Sequence, residues 1–208
     1  MRIKICGITR SQDAKLAISL GATELGFIFA PSPRKMTSEQ ARNIRSELPL
    51  AAKVIGVFVN EKMSVILEVA QNVSLQGIQL HGLETPADIA FLKQERPDLI
   101  IMKSIGVDGD RFSLDATKYD ACDSLVFDSA GSHLKSQERT SIESEINYSR
   151  KFYLAGGLNP KNILNQINKY KPYGIDLSSG VESAPGIKDE GLLEELFLNL
   201  KEAKCILT

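Results

Sequence analysis

The chain has 208 residues, of which 43% are hydrophobic and 25% are charged, and its formal net charge is −1. This length suits one substantial core, and the near-neutral charge argues against the basic surface of a nucleic-acid-binding protein. Three widely spaced cysteines without a Cys-x-x-Cys pair, and only two histidines, argue against a metal site and a complete disulfide framework.

Strand-like and helical patterns alternate from the start of the chain. The strand "IKIC" is followed by a helical pattern in "RSQDAKLAISLGA", for which Ser11 is the candidate N-cap. The strand "LGFIFA" leads through the loop "PSPRKM" to the helix "TSEQARNIRSEL". There, Thr37 or Ser38 can cap the helix and close a capping box with Glu39 or Gln40.

The middle of the chain predicts three more strands. "KVIGVFV" precedes the helix "NEKMSVILEVAQNV", with Asn60 as its candidate cap. "LQGIQLHG" precedes the helix "TPADIAFLKQER", which has Pro86 at its first position. The fifth strand is "LIIMKSI", and the segment after it, "GVDGDRFSLDATKYD", is the weakest helical pattern of the chain.

The last part of the chain predicts the strands "SLVFDSAG", "KFYLAGGL" and "YGIDLSSG". The polar stretch "SHLKSQERTSIESEINYS" follows the first of them and predicts a loop that runs into a short helix. "NPKNILNQINKY" predicts a helix with Asn159 as its cap, and "KDEGLLEELFLNLKEAKCIL" predicts a final amphipathic helix.

Eight strands and about eight helices, at about one unit every 25 residues, have the size of a (β/α)₈ barrel. A doubly wound open sheet shows the same alternation and is the alternative architecture. Eight units in so short a chain favour closure. No linker or composition break divides the sequence, so we expect a single α/β domain, a TIM barrel, over residues 1–208.

The sequence also predicts a location. No long apolar stretch follows the basic residues at the N-terminus, and no stretch is apolar for long enough to cross a membrane. An odd number of cysteines fits a reducing compartment. We therefore expect a cytoplasmic protein that binds neither membranes nor nucleic acids.

In a closed barrel, functional residues lie at the carboxyl ends of the strands. Two small-residue loops stand there, with Gly156 and Gly157 in "LAGGLNPKN" and Ser178, Ser179 and Gly180 in "IDLSSGVE". Glycines let backbone N–H groups approach an anion, and the loops after strands seven and eight are the usual phosphate site. One such loop alone would suggest only a tight turn, but the two together predict phosphate binding.

Cys6 and Asp128 are candidate acid–base groups at the same rim. A thiolate at Cys6 can act as a general base if cations or amide dipoles stabilise it, although most free cysteines are only small buried hydrophobes. Asp128 ends the otherwise apolar run "LVF". A carboxyl at the mouth of an apolar barrel can act as a general acid when burial favours its protonated form, and a simple cap is the alternative.

Three further polar residues at strand ends could contact a substrate. Arg34 lies in a proline-flanked loop, and its fork suits a carboxylate, whereas a solvated loop charge is equally consistent with the sequence. His81 could titrate or hydrogen-bond a substrate, or it could pack as a neutral side chain. Asp176 could orient sugar hydroxyls or cap a loop.

At these residues the chain resembles the phosphoribosylanthranilate isomerase family of tryptophan biosynthesis. The matching stretches follow the family's order from end to end: "KICGIT", "GFIFAPSPRKM", "IGVFVN", "IQLHG", "LAGGLNPKN" and "GIDLSSGVESAPGIKD". "KICGIT" and "DLSSGVE" together are highly specific, while "LAGGL" alone would be weak.

The resemblance implies a single-domain barrel without cofactor or metal. It implies the conversion of N-(5-phosphoribosyl)anthranilate to 1-(2-carboxyphenylamino)-1-deoxyribulose 5-phosphate by an Amadori rearrangement. The expected partner is this small phosphosugar, and a monomer is favoured over a homodimer because typical members are monomers.

The resemblance also implies residue roles. Cys6 matches the family's general base, Asp128 its general acid, and Arg34 the arginine near the anthranilate carboxylate. The loops around Gly157 and Ser179–Gly180 match its phosphate grip. His81 and Asp176 match polar residues that line the pocket.

One stretch departs from the family, and it keeps two alternatives open. After Asp128 the family has a glycine-rich run and then Phe-Asp-Trp, whereas this chain reads "SAGSHLKSQERTSIESEINYS" and has no tryptophan. We expect this loop to close less tightly, which would slow turnover. One alternative is another barrel enzyme: a synthase could use Lys103 but would also need paired glutamates, which are missing at the strand ends, and a histidine-pathway isomerase uses paired aspartates, whereas strand one ends in Cys6. The altered loop suggests the other alternative, a non-catalytic binding barrel, and the presence of both Cys6 and Asp128 argues against it.

Overall fold

The computed structural model describes residues 1–108, 111–112, 115–129 and 151–205. Eight parallel strands form its centre. They are β1 (Arg2–Cys6), β2 (Glu24–Ile28), β3 (Lys53–Phe58), β4 (Gly77–Leu80), β5 (Ile100–Asp108), β6 (Ser124–Asp128), β7 (Phe152–Ala155) and β8 (Gly174–Leu177). The strands are short apolar runs because both of their faces are buried, as is usual in parallel sheets.

The sheet closes on itself. Neighbouring strands pair in chain order from β1 to β8, and β1 also pairs with β8, with Lys4 opposite Asp176. The pairing of β4 with β5 completes the ring. The predicted (β/α)₈ barrel is therefore confirmed, and the open doubly wound sheet is excluded because it would leave two unpaired edges.

Six α-helices lie in the described part of the chain: α1 (Ser11–Leu20), α2 (Ser38–Ser46), α3 (Met63–Val73), α4 (Pro86–Glu95), α5 (Ile163–Tyr170) and α6 (Glu190–Glu202). Between β5 and β6, where the helical pattern was weakest, the chain forms a two-residue strand, Arg111–Phe112, and a 3₁₀-helix, Ala116–Tyr119. The expectation of about eight helices was therefore too high for these residues. The polar stretch predicted as a loop and short helix after β6 lies outside the described residues.

The N-termini of the helices show which capping predictions are confirmed. The capping box of α2 is formed by Thr37 and Gln40, as predicted, and Pro86 lies in the first turn of α4. Ser11 was the wrong cap because α1 begins at that residue, and its hydroxyl binds Glu47 instead.

Two asparagines predicted as caps stand ahead of their helices. Asn60 has a positive φ of 51°, and its side-chain oxygen accepts the N–H of Leu83 in the loop after β4. Asn159 accepts the N–H groups of Lys161 and Asn162, a turn before α5 begins. In both places the side chain fixes a loop rather than a helix end.

Residues alternate between two environments along each strand. The larger apolar core lies between the sheet and the helices and includes Ile3, Ile5 and Phe27. A smaller cluster fills the barrel interior and is made by Ile55, Met102, Val126, Tyr153 and Ala155. None of the helices among the described residues combines the length and hydropathy that a bilayer span requires.

Candidate active site

A pocket opens at the carboxyl ends of the strands. It contains every residue that the sequence singled out for chemistry or binding: Cys6, Arg34, His81, Asp128, Gly156, Gly157, Asp176, Ser178, Ser179 and Gly180. Apolar residues and one amide complete the wall: Ile28, Val57, Gln79, Ala155 and Leu158. The barrel topology thus brings together side chains that are up to 174 positions apart in the sequence.

Cys6 ends β1 with its sulfur inside the barrel mouth. The residue is 7% exposed, and its neighbour on β2 is Gly26. A methyl group on Gly26 would lie 2.5 Å from the Cys6 sulfur, so only glycine leaves room for the sulfur at this register. Burial raises the pKa of the Cys6 thiol, and the charges of Lys4 and Lys188 act against that rise.

Asp128 ends β6, and His81 follows β4 directly. Nε2 of His81 lies 3.4 Å from a carboxylate oxygen of Asp128, and both side chains line the pocket. The Asp128 side chain is 17% exposed, so water or a ligand in the pocket can reach it. The contact joins the ends of β4 and β6 across the pocket.

Arg34 is held at the pocket wall by a carboxylate. Its Nε lies 2.9 Å from Oε1 of Glu182, and its Nη2 lies 2.6 Å from Oε2. Lys188 also donates to Oε1 of Glu182, at 2.8 Å. Burial acts to raise the pKa of Glu182, but the hydrogen bonds from Arg34 and Lys188 outweigh it and lower that pKa. Two cations thus share one anion, which leaves a net positive charge beside Cys6.

The two glycine loops meet at the rim next to Cys6. Gly156 and Gly157 have positive φ values of 89° and 65°, a conformation that favours glycine. A methyl group on Gly180 would lie 1.8 Å from the carbonyl oxygen of Leu158, so this glycine permits the close approach of the two loops. The space beside Gly157 is open, since an added Cβ would meet no described atom within 4 Å. The loops therefore form a backbone-lined recess.

Several polar atoms in the pocket wall have no partner among the described residues. Four buried side-chain N or O atoms lack a hydrogen bond, and three of them belong to pocket residues: Oε1 of Gln79, Oδ1 of Asp176 and Oγ of Ser178. Leaving such an atom unpaired costs about 1–3 kcal/mol. Concentrating them in one pocket is expected where a polar ligand supplies the missing bonds.

The sequence reasoning missed four polar residues of this region. Gln79 lines the pocket, Lys4 and Lys188 are buried beside it, and the side chain of Glu182 is 4% exposed. Only Gln79 and Lys4 carried a usable signal, because each alternates with apolar neighbours in a strand and so points into the barrel. Glu182 and Lys188 lie in a β-hairpin after β8, and no periodicity places a hairpin.

Lys103, the lysine of the synthase alternative, lies outside this pocket. Its Nζ donates to the carbonyl of Gly82 at 2.6 Å and to Glu84 at 2.9 Å. It is fully buried next to the Tyr119 ring. A lysine enclosed in this way holds loops together and cannot reach a substrate at the barrel mouth. No group of three or more His, Cys, Asp or Glu side chains in the described ranges could bind a metal.

Sequence comparison identifies relatives along the whole chain. Residues 3–199 match the family model of N-(5′-phosphoribosyl)anthranilate (PRA) isomerase. The N-(5′-phosphoribosyl)anthranilate isomerase of Gloeothece citriformis is 40% identical over 210 residues, which cover 98% of this chain and 96% of that protein.

Solved structures agree with the sequence match. A phosphoribosylanthranilate isomerase in complex with reduced 1-(o-carboxyphenylamino)-1-deoxyribulose 5-phosphate has a TM-score of 0.87 and 35% identity, and it covers 97% of this chain and 99% of its own. Monomers generated from the dimeric isomerase of Thermotoga maritima have a TM-score of 0.83 and 36% identity, with 97% and 98% coverage. The fold, the contents of the pocket and these matches lead to one conclusion: the chain belongs to the N-(5′-phosphoribosyl)anthranilate isomerase family.

Proposed function

We propose that Cys6 is the general base and Asp128 the general acid of this isomerase. The family reaction converts N-(5-phosphoribosyl)anthranilate to 1-(2-carboxyphenylamino)-1-deoxyribulose 5-phosphate in L-tryptophan biosynthesis. One observation carries the assignment. A thiol on β1 and a carboxyl on β6, three strands apart around the barrel wall, line the same pocket as the two glycine loops.

The reaction needs one proton donor and one acceptor around the sugar. Asp128 gives a proton to the furanose ring oxygen, and the bond from that oxygen to C1 breaks, which leaves a protonated Schiff base. The Cys6 thiolate then takes the proton from C2, and the electron pair of that C–H bond neutralises the iminium to give an enolamine. The enolamine moves the proton of its C2 hydroxyl to C1, which forms the ketone. Each proton transfer typically contributes about 10² to 10⁴ in rate.

The rest of the pocket supplies binding sites for the two ends of the substrate. The recess at Gly157, Ser179 and Gly180 suits the phosphate, because backbone N–H groups can approach an anion closely there. The hydrogen bonds between Arg34 and Glu182 use Nε and Nη2 of the arginine, and we assign Nη1 to the carboxylate of the anthranilate ring. Binding at both ends holds the sugar between acid and base.

The middle of the substrate would meet the unpaired polar atoms. Asp176 and Ser178 each present a buried oxygen without a partner, and we assign these oxygens to the ribose hydroxyls. His81 would keep Asp128 oriented toward the ring oxygen. No cofactor or metal enters this assignment.

We further propose one domain over residues 1–208, acting as a monomer in the cytoplasm. The pocket is made by residues of a single chain, so a second copy is not needed to complete it. The dimer of the Thermotoga maritima relative shows that members of the family can pair. None of the three cysteines, all of which lie in the described ranges, forms a disulfide, which fits a reducing compartment.

The assignment is tested by following the loss of phosphoribosylanthranilate fluorescence. We expect Cys6→Ser and Asp128→Asn to lower kcat by about 10² to 10⁴ each. Cys122→Ser is the matched control, since it alters another buried cysteine that does not line the pocket. Wild-type turnover in either site variant would remove the assigned role. No activity in the unaltered protein would instead favour a binding barrel.

A further inference from the structure

A fully buried lysine lies directly below the sulfur of Cys6. Lys4 is two residues before Cys6 in β1, so both side chains point into the barrel from Cα atoms about 7 Å apart along the strand. Lys4 is 0% exposed. A buried ammonium is costly unless it is paired, so the position of Lys4 requires an explanation.

Lys4 has two carboxyl groups beside it and binds one of them. The register places Lys4 next to Asp176 on β8 and next to Glu24 on β2. Glu24 accepts the Tyr153 hydroxyl at 2.8 Å, while Nζ of Lys4 lies 2.7 Å from Oδ2 of Asp176. The lysine is thus fixed on the β8 side, by a carboxylate whose other oxygen belongs to the pocket wall.

Four charged side chains, from different elements of the barrel, act on the sulfur of Cys6: Lys4, Asp176, Lys188 and Arg34. Burial raises the pKa of Cys6, Lys4 lowers it, and Asp176 raises it. Lys188 on the hairpin lowers it by a smaller amount, and Arg34 in the loop after β2 also interacts with the sulfur. On β2 itself the facing residue is glycine. Lys4 is therefore the strongest electrostatic support for a negative charge on the sulfur.

Lys188 and Arg34 are less suited to that task. Both donate to the same carboxylate, Glu182, and Lys188 also donates to the carbonyl of Ser178 at 3.2 Å. Their charges are therefore engaged at the outer wall of the pocket. Lys4 donates to Asp176 at 2.7 Å and lies in the same strand as the sulfur, and its interaction with Cys6 includes a side-chain hydrogen bond as well as charge.

We propose that Lys4 is a positioning residue whose ammonium, fixed by Asp176 inside the barrel, stabilises the thiolate of Cys6. The proposal rests on the proposed function for the role of that thiolate as the base. Lys4 does not touch substrate and acts through Cys6. Burial alone would leave the sulfur protonated at neutral pH, and Lys4 opposes this without opening the pocket to water.

The pH dependence of Cys6 alkylation tests the proposal without substrate. Full-length protein is treated with iodoacetamide over a pH series, and mass spectrometry measures labelling of Cys6 separately from Cys122 and Cys205. In Lys4→Met we expect the midpoint to rise by about one pH unit or more, which means about tenfold slower labelling below the midpoint. An unchanged or lower midpoint in folded Lys4→Met overturns the proposal.

Two further variants separate electrostatics from loss of structure. Lys103→Met is the matched control, because it also removes a fully buried lysine paired with a buried carboxylate, and we expect it to leave the Cys6 midpoint unchanged. A midpoint shift in Lys103→Met as large as that in Lys4→Met overturns the proposal. Asp176→Asn removes the anion next to Lys4, so we expect a lower midpoint.

If Lys4→Met does not fold, Lys4→Gln decides the matter, because it also removes the charge but keeps a polar side chain that can donate to Asp176, and an unchanged or lower midpoint there overturns the proposal. The titration is also independent of catalysis. If Cys6→Ser retained full turnover while Lys4→Met still shifted the midpoint, the assigned base would be wrong and the electrostatic coupling would stand.

Discussion

Two buried lysines on nearly opposite walls of the barrel show how similar ion pairs serve different purposes. Lys4 on β1 binds Asp176 at 2.7 Å, and Lys103 on β5 binds Glu84 at 2.9 Å, with all four side chains buried. Lys4 points into the barrel below Cys6. Lys103 is in the opposite phase of its strand from Met102, which belongs to the interior cluster, and so it points toward the outer layer.

The partners of the two lysines explain the difference. Lys103 donates to the last carbonyl of β4 and to the carbonyl of Gly82 in the loop after it, as well as to Glu84. Glu84 in turn accepts N–H groups from Asn60 and Gly82. That pair is satisfied within the protein and joins the loops after β3 and β4. Asp176, in contrast, has one oxygen in the pocket wall that finds no partner in the part of the chain that the structure describes. The Lys103–Glu84 pair has its hydrogen bonds made within the protein and so serves the fold. The Lys4–Asp176 pair has a carboxylate oxygen at the pocket that is available to a ligand.

The largest expected effect concerns the structural role of Lys103. We expect Lys103→Met to lower the free energy of unfolding by about 3–5 kcal/mol, because it leaves the Glu84 carboxylate buried and unpaired. Urea unfolding measures this loss. The double variant Lys103→Met/Glu84→Gln should recover part of it, since no unpaired charge remains and the amide oxygen can still accept an N–H group of the loops. A loss of less than about 1 kcal/mol in the single variant would contradict the assignment.

Gly26→Ala tests how strictly the position of the Cys6 sulfur in the pocket matters. The new methyl group would meet the Cys6 sulfur at 2.5 Å and the Cys6 Cα at 3.0 Å. We expect a stability loss of about 1–3 kcal/mol from overpacking. We also expect kcat to fall by about tenfold to 100-fold, because a displacement near 1 Å can cost that much in rate.

Steady-state kinetics with urea unfolding checks this prediction. Gly191→Ala is the matched control, because the added methyl group would have only an ordinary contact, 3.4 Å from Oδ1 of Asp189. It should preserve both stability and turnover. Unchanged kcat in Gly26→Ala would mean that the sulfur's position is not critical.

The smallest expected effect is a pH dependence of stability that belongs to Lys4. Burial acts to lower the pKa of Lys4, but Asp176 and Cys6 raise it above the ordinary value of 10.5 in the folded protein. A raised lysine pKa contributes stability that is complete below pH 10.5 and is lost as the pH rises further. We expect the urea midpoint of the wild type to fall more steeply above pH 10.5 than that of Lys4→Met. If the urea midpoints of both proteins fell equally steeply above pH 10.5, the Lys4–Asp176 pair would not contribute to the pH dependence of stability.

The barrel was predictable because its signals are local and repeated. Short apolar strands alternating with capped helices predict eight units, and closure follows from fitting them into 208 residues. The ten predicted site residues share one pocket because carboxyl ends of parallel strands meet at one rim. Their chemical roles stay predictions.

What the sequence could not provide was the pairing between distant charges. Nothing local indicates that Arg34 binds Glu182, which is 148 positions away, or that Lys188 shares the same carboxylate. Asparagine is a common helix N-cap, yet the side-chain oxygen of Asn60 accepts a hydrogen bond from the loop after β4 instead. The loop after Asp128, expected to slow turnover, lies mostly outside the described residues, so that expectation stays a prediction.

The ion pairs around Cys6 also bear on how the protein folds. Lys4 binds Asp176 across 172 positions, and Arg34 binds Glu182 across 148. A nascent chain can therefore form neither of these pairs until β8 and the hairpin after it have been synthesised. Contacts of such long sequence separation form late and slowly. We therefore expect the barrel to close and the ion pairs around Cys6 to form in the same folding step. A molecule in which β8 has not paired with β1 would be both open and inactive.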